Sequence, residues 1–148
     1  QNKIKVNNIF KKYFLKKYLF PIHSSIGEKI NNIASSAIDI SDGFYGDLLN
    51  LIGKKNLGAS IKSSSLPFSV KTKKLIKNKV ISLNFILSSG DDYELIFTAN
   101  SKKSSIIKRL AKNNNLTITK VGKIIRKKGI YLDHKQINIV NKSFQHFS

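Results

Sequence analysis

Six of the eight acidic residues in this 148-residue chain fall in two short segments: Asp39, Asp42 and Asp47, then Asp91, Asp92 and Glu94. Crowding carboxylates costs repulsion that a scattered surface avoids, so a bound cation or a catalytic need is the natural reason for it. In Ile38-Asp39-Ile40-Ser41-Asp42-Gly43, strand alternation puts Asp39 and Ser41 on one face and the isoleucines on the other. The chain then turns at Asp42-Gly43 into the start of a helix. Two carboxylates and a hydroxyl converge there beside free backbone N–H groups; oxygen ligands suit Mg²⁺, and a helix start suits a phosphate. Asp42 could equally cap the helix, which leaves Asp39 as an unpaired acid between buried isoleucines. In Leu87-Ser88-Ser89-Gly90-Asp91-Asp92-Tyr93-Glu94-Leu95, small residues let the backbone approach a ligand closely. The adjacent acids could meet a cation or a positively charged substrate. A polar turn ahead of a strand, with Asp91 as a turn former, accounts for the same residues.

The elements that must position these segments read as mixed strands and helices in a single α+β layer structure, with no repeat and no internal boundary. A basic amphipathic helix is predicted over residues 6–19, with Val6, Ile9, Phe10 and Tyr13 on one side and Pro21 as its bound. Packing on its own domain or on a missing half is preferred over a membrane surface. Ser25-Ile26-Gly27-Glu28 matches a capping box and opens a helix to about Ala34. A short strand covers 37–41. A helix over 44–55 buries Phe44, Leu48 and Ile52 and ends near Gly58. A strand over 59–62 leads to a Ser-rich loop closed by Leu66-Pro67-Phe68. Residues 71–88 read as mostly helical, 93–98 as a strand and 104–112 as a helix. Strands near 117–125, 129–133 and 136–140 complete the pattern.

Composition narrows the classes. At 41% hydrophobic residues the chain can bury one core, and no apolar run approaches the ~20 residues of a membrane span. The N-terminal stretch lacks the apolar centre of a secretory signal, so the cytoplasm is the default location. With no cysteine, disulfide frameworks and thiolate metal sites are excluded. With no methionine, the chain reads as part of a longer product. The net charge of +19 points at first to nucleic acid. Among the 27 cations, however, only Arg109 and Arg126 carry the guanidinium fork that favours base readout. The lysines are spread beside abundant Asn and Ile, as biased genome composition would leave them. A basic nucleic-acid-binding module stays as a rival, since nonspecific binding needs only charge. His23, His134 and His146 are too dispersed for a metal cluster.

Taken in order, the run from Ala37 to Leu48, Leu66-Pro67-Phe68-Ser69 and Leu87-Ser-Ser-Gly-Asp-Asp-Tyr-Glu-Leu-Ile-Phe-Thr98 resemble the C-terminal half of thiamine-monophosphate kinases. Tyr18-Leu19-Phe20-Pro21 is similar to the end of the linker helix that precedes that half. Val121-Gly122-Lys123-Ile124 and Phe144-Gln145-His146-Phe147 are similar to its tail. The resemblance implies an α+β domain with a mixed β-sheet flanked by helices, like the C-terminal domain of aminoimidazole ribonucleotide synthetase. It implies residues 1–20 as a linker helix from a missing N-terminal half and 21–148 as the domain itself. The implied activity is magnesium-dependent transfer of the ATP γ-phosphoryl group to thiamine phosphate. Asp39 and Asp42 match magnesium ligands, Ser41 a contact to ATP, Asp91 a substrate-binding acid, and Phe144 an aromatic residue against the thiamine moiety. No residue matches a covalent catalyst. The implied partner is an N-terminal half that carries most of the nucleotide site and forms a homodimer. Ser89 and Ser143 stand where the family usually has glycine, and Ile22-His23 where a basic residue often follows the proline. A noncatalytic domain of the same superfamily is the second rival.

Overall fold

A computed structural model of the chain describes residues 7–19, 26–53, 56–90 and 94–139. Helix α1 (Asn8–Leu19) starts where Asn7 accepts from the backbone N–H groups of Ile9 and Phe10 at 2.9 and 3.1 Å, an N-cap that satisfies two otherwise orphaned donors. Its predicted apolar side is only partly covered. Tyr13 is half-buried with the Lys71 ammonium 3.8 Å from its ring centre, whereas Ile9 is 68% exposed. Val6 and Pro21 lie outside the described residues.

Helix α2 is shorter than its sequence pattern implies, spanning Ile26–Lys29; Ser25 of the capping box lies outside the described residues. Asn31 and Asn32 are weak helix formers, and Ala34 already begins strand β1 (Ala34–Asp39). β1 pairs antiparallel with β3 (Leu95–Ala99), from Ala34↔Ala99 to Asp39↔Leu95, with an irregularity between Ala34 and Ser36. The sheet therefore claims residues that periodicity alone assigned to a helix. Beyond the strand end, Ile40 N–H still donates to the Glu94 carbonyl at 2.8 Å.

Helix α3 (Phe44–Ile52) follows, ended by Gly53 at φ 69°, so it stops short of the predicted Lys55. Strand β2 (Gly58–Ile61) is central in a four-stranded sheet of order β4-β2-β5-β6, with β4 (Gly122–Ile125), β5 (Gly129–Leu132) and β6 (Lys135–Ile137). β2 runs antiparallel to β4 and parallel to β5, and β5 runs antiparallel to β6, which makes the sheet mixed as predicted. The predicted strand near 117–125 forms only from Gly122. Its partner β2 ends at Ile61, opposite Gly122, so the residues before it have no ladder to join beyond the bond from Lys62 N–H to the Val121 carbonyl.

The stretch predicted as mostly helical divides into α4 (Val70–Lys77) and α5 (Leu83–Leu87), capped by the hydroxyls of Ser69 and Ser82. Lys79, at φ 55°, separates them. Its N–H donates to the Ile76 carbonyl and Val80 N–H reaches back to the Leu75 carbonyl, a left-handed helix end made here without glycine. Helix α6 (Ser104–Asn113) ends the same way at Asn115, φ 57°. The core forms where α3 lies on the mixed sheet: Tyr45 and Leu48 pack with Ala59, Ile61, Leu66, Leu87 and Ile130. Phe44 and Ile52, predicted as buried, sit half-buried at its margin. Among the described residues no helix is long and apolar enough to cross a membrane.

The β5–β6 connection is fastened to β2 by one aspartate. Asp133 accepts from the Ser63 hydroxyl at 2.5 Å and from the Ser63 N–H at 2.9 Å, while its own N–H donates to the Ile61 carbonyl. The hydroxyl bond first, then the backbone bond, hold its carboxyl below the ordinary aspartate range. A carboxyl with a depressed folded-state pKa stabilises the fold above its unfolded value and stops doing so as pH falls through the folded one. We therefore expect Asp133→Asn to melt below the wild-type chain at neutral pH. The gap should narrow below about pH 4 and close once the native carboxyl protonates. Melting curves across that window check this, and a gap independent of pH would contradict it.

Candidate functional site

Burial of Ile40 on the core side turns Asp39 and Ser41 outward at the end of β1, and Asp42 beside them is exposed as well. The three side chains expected to converge do share one solvent-facing turn. Gly43 then carries the chain into α3 at φ 102° and ψ 151°, a conformation that glycine alone adopts without strain. Gly43 itself is the cap position of α3, and no side chain bonds there. Asp42 is thus not a helix cap, which removes the plain structural account of it.

The acid that does serve this backbone is Asp47. It is 2% exposed, and its Oδ2 accepts from the N–H groups of both Ser41 and Asp42 at 2.9 Å each. Two of the N–H groups expected to be free for a ligand are therefore taken. Sequence reading counted Asp47 in the first acidic segment but gave it no role. Its signal was its place between Phe44, Leu48 and Leu51 on the apolar stripe of α3, where an acid must find internal partners.

The two segments rich in acids meet in space. A β-carbon on Gly43 would stand 2.7 Å from the Ser88 carbonyl carbon, and one on Gly90 would stand 2.0 Å from the Ser41 carbonyl oxygen. The small residues of the second segment, read from sequence as room for a ligand, make room for the first segment's backbone. Ser89, in place of the usual glycine, is not at positive φ and donates its hydroxyl to the Phe85 carbonyl at 2.7 Å. That position needs no glycine here. Asp91 and Phe144, the predicted substrate contacts, lie outside the described residues, as do Asp92, His23 and His146.

Among the described residues no group of three or more His, Cys, Asp or Glu side chains is placed to hold a metal. Asp39 and Asp42, with the Ser41 hydroxyl, offer a partial set of hard oxygen donors. That fits Mg²⁺, which is commonly held by one or two carboxylates plus substrate phosphates and water rather than by a full protein cage. A separate cavity of about 200 Å³ opens on the face of the mixed sheet turned from α3, lined by Ser60, Lys123, Ile125, Lys127, Tyr131 and His134. It includes none of the predicted site residues.

No family model matches the chain. A thiamine-monophosphate kinase of Buchnera aphidicola from Schizaphis graminum is 38% identical over 141 residues, covering 91% of this chain and 43% of the relative. The one from Haemophilus influenzae is 34% identical over 131 residues, covering 82% and 39%. The crystal structure of thiamine-monophosphate kinase from Stenotrophomonas maltophilia superposes with a TM-score of 0.74 at 26% identity, covering 91% of this chain and 43% of that one. AaThiL complexed with AMPPCP and TMP superposes with a TM-score of 0.68 at 24% identity, covering 91% and 41%. Fold and turn together define an α+β domain of the aminoimidazole ribonucleotide synthetase type, with a mixed sheet flanked by helices. Within that class, the chain belongs to the thiamine-monophosphate kinase family. It spans less than half the length of these relatives.

The contact between the two turns makes a direct test. In Gly90→Ala the new methyl has to displace the Ser41 backbone, since overlap at 2.0 Å cannot be absorbed by a rotamer change. We expect a loss of about 1–3 kcal/mol or more in denaturant unfolding. Gly27→Ala, whose β-carbon would meet nothing within 4 Å, should leave stability unchanged or slightly raised. Equal stability of the two variants would show that the turns do not pack this way.

Proposed function

We propose that this chain is the C-terminal part of an ATP-dependent kinase that phosphorylates thiamine phosphate to thiamine diphosphate. The observation that carries the reading is family membership across 91% of the chain. The outward-facing Asp39, Ser41 and Asp42, none needed to cap α3, support it from the side of the site. In this reading residues 1–20 form a linker helix from an N-terminal half and 21–148 the domain. The N-terminal half supplies most of the nucleotide site and the contacts of a homodimer, and the complete enzyme works in the cytoplasm.

A terminal phosphate oxygen of thiamine phosphate attacks the γ-phosphorus of ATP, the bond to the β–γ bridging oxygen breaks, and ADP leaves. Such a transfer depends on alignment and charge neutralisation, so it needs no nucleophilic side chain. Asp39 and Asp42 would hold Mg²⁺, which when bound supplies positive charge against the phosphates. Ser41 contacts ATP through its hydroxyl at the same turn. Asp91 sets a carboxylate toward the cationic thiazolium ring or a polar group of the pyrimidine. Phe144 gives a flat face for packing or a cation–π contact of ~0.5–2 kcal/mol.

Two experiments on the complete enzyme test this. Asp42→Asn should lower the magnesium-dependent rate by roughly 10²–10³-fold while leaving the melting temperature close to wild type, because the exposed side chain caps nothing. A near wild-type rate would count against its metal role. Separately, Asp91→Asn and Phe144→Leu should each raise KM for thiamine phosphate about tenfold, or ~1.4 kcal/mol, with KM for ATP nearly unchanged. Equal effects on both substrates, or none on either, would sink the substrate assignment.

A further inference from the structure

We propose that Asp47 is the positioning residue of the turn that carries Asp39, Ser41 and Asp42, a role that rests on the kinase reading for its catalytic meaning but not for its geometry. Strand pairing ends where Ile40 N–H donates to the Glu94 carbonyl. The next two N–H groups, of Ser41 and Asp42, leave the ladder and converge on a single carboxylate oxygen at 2.9 Å each. At 2% exposure that carboxylate is out of reach of any ligand, so it acts only through the backbone it holds.

Its own position is fixed from behind. Asp47 N–H makes a bond of the first turn of α3, to the Gly43 carbonyl at 3.0 Å. The neighbouring Tyr45 and Leu48 are buried in the core, and the Tyr45 hydroxyl donates to the Ile137 carbonyl at 3.2 Å. Rigidity thus passes from the mixed sheet through α3 to Asp47, and from Asp47 to the backbone on which the three outward side chains are mounted. Bonds from N–H to an ionised acceptor are stronger than those between neutral groups, which suits a group that must fix a turn where sheet pairing has stopped. Outward carboxylates on a loose turn would lose alignment, and groups that orient ligands typically matter about 10–100-fold in metal affinity.

The experiment compares Asp47→Ala and Asp47→Asn in the complete enzyme. Asp47→Ala should raise the half-activating Mg²⁺ concentration about tenfold or more and lower kcat roughly 100-fold. Asp47→Asn, which keeps an oxygen in place but not the charge, should fold and fall between alanine and wild type. Amide hydrogen exchange supplies a readout independent of activity. The Ser41 and Asp42 amides should exchange faster in both variants, most in alanine, while the Ile40 and Lys62 amides keep wild-type protection. A folded variant of either kind with a lower melting temperature but wild-type exchange at Ser41 and Asp42 overturns the proposal. So does wild-type magnesium activation and kcat in folded Asp47→Ala. If the unaltered complete enzyme makes no thiamine diphosphate, the kinase reading fails, and the exchange comparison still decides whether Asp47 holds the turn.

Discussion

Backbone laid on backbone, with no space for a side chain between, is the constraint on which this fold's functional end depends. Gly43 lies against the carbonyls of Ser88 and Ser89, and Gly90 against that of Ser41. Each turn therefore walls in the other's backbone. The helix after the first turn and the short helix before the second both contribute to one core, through Leu48 and Leu87. Core packing and the meeting of the turns are thus a single event. Asp47 adds the acceptor that the ladder cannot offer once β1 has ended. Exposed carboxylates set as near in sequence as Asp39 and Asp42 repel one another, and the turn that carries them is held by its backbone rather than by their side chains.

Much of this arrangement was legible in the sequence, for reasons that also explain the remainder. Alternation in Ile38-Asp39-Ile40-Ser41 placed the two outward groups correctly, because strand geometry fixes faces irrespective of partners. The periodicity of α3 and α6 was strong enough to locate both helices to within a few residues. Ends were harder. Ile26 to Ala34 has helical spacing, yet pairing with Ala99 draws Ala34 into a strand, and spacing carries no information about a partner more than sixty residues away. The division between α4 and α5 falls at Lys79, a residue whose type does not announce a left-handed backbone. In the site, the glycines were visible as signals of close approach, but the approaching object proved to be protein. Asp47 escaped because its place on the apolar stripe of α3 calls for internal partners without naming the two amides that supply them.

An excess of cations with few acids to pair them leaves a folding chain with self-repulsion to manage. Several lysines here turn to neutral acceptors. Lys29 donates to the Asn114 side-chain oxygen and Lys103 to the Asn32 carbonyl at 2.7 Å, two ties running in opposite senses between the α2–β1 region and the region of α6. Lys71 and Lys127 lie over the rings of Tyr13 and Tyr131. Contacts to carbonyls and ring faces keep the charge at the surface while using the donor and the alkyl stem. These four lysines are in this way tied into the fold.

The parallel pairing of β2 with β5 sets an order of events for the growing chain. β2 occupies the middle of the mixed sheet, yet both of its neighbours arrive only after Gly122. During synthesis the central strand must wait, with Ala59 and Ile61 unsheltered, until residues 122–132 have left the ribosome. Distant pairing of this kind slows folding, because loop closure comes before its reward. β1 and β3 can pair earlier, since β3 is complete at Ala99. The sheet that backs α3 thus forms late, and the turn bearing Asp39 and Asp42 leads into a helix that gains its full backing only once β5 is made.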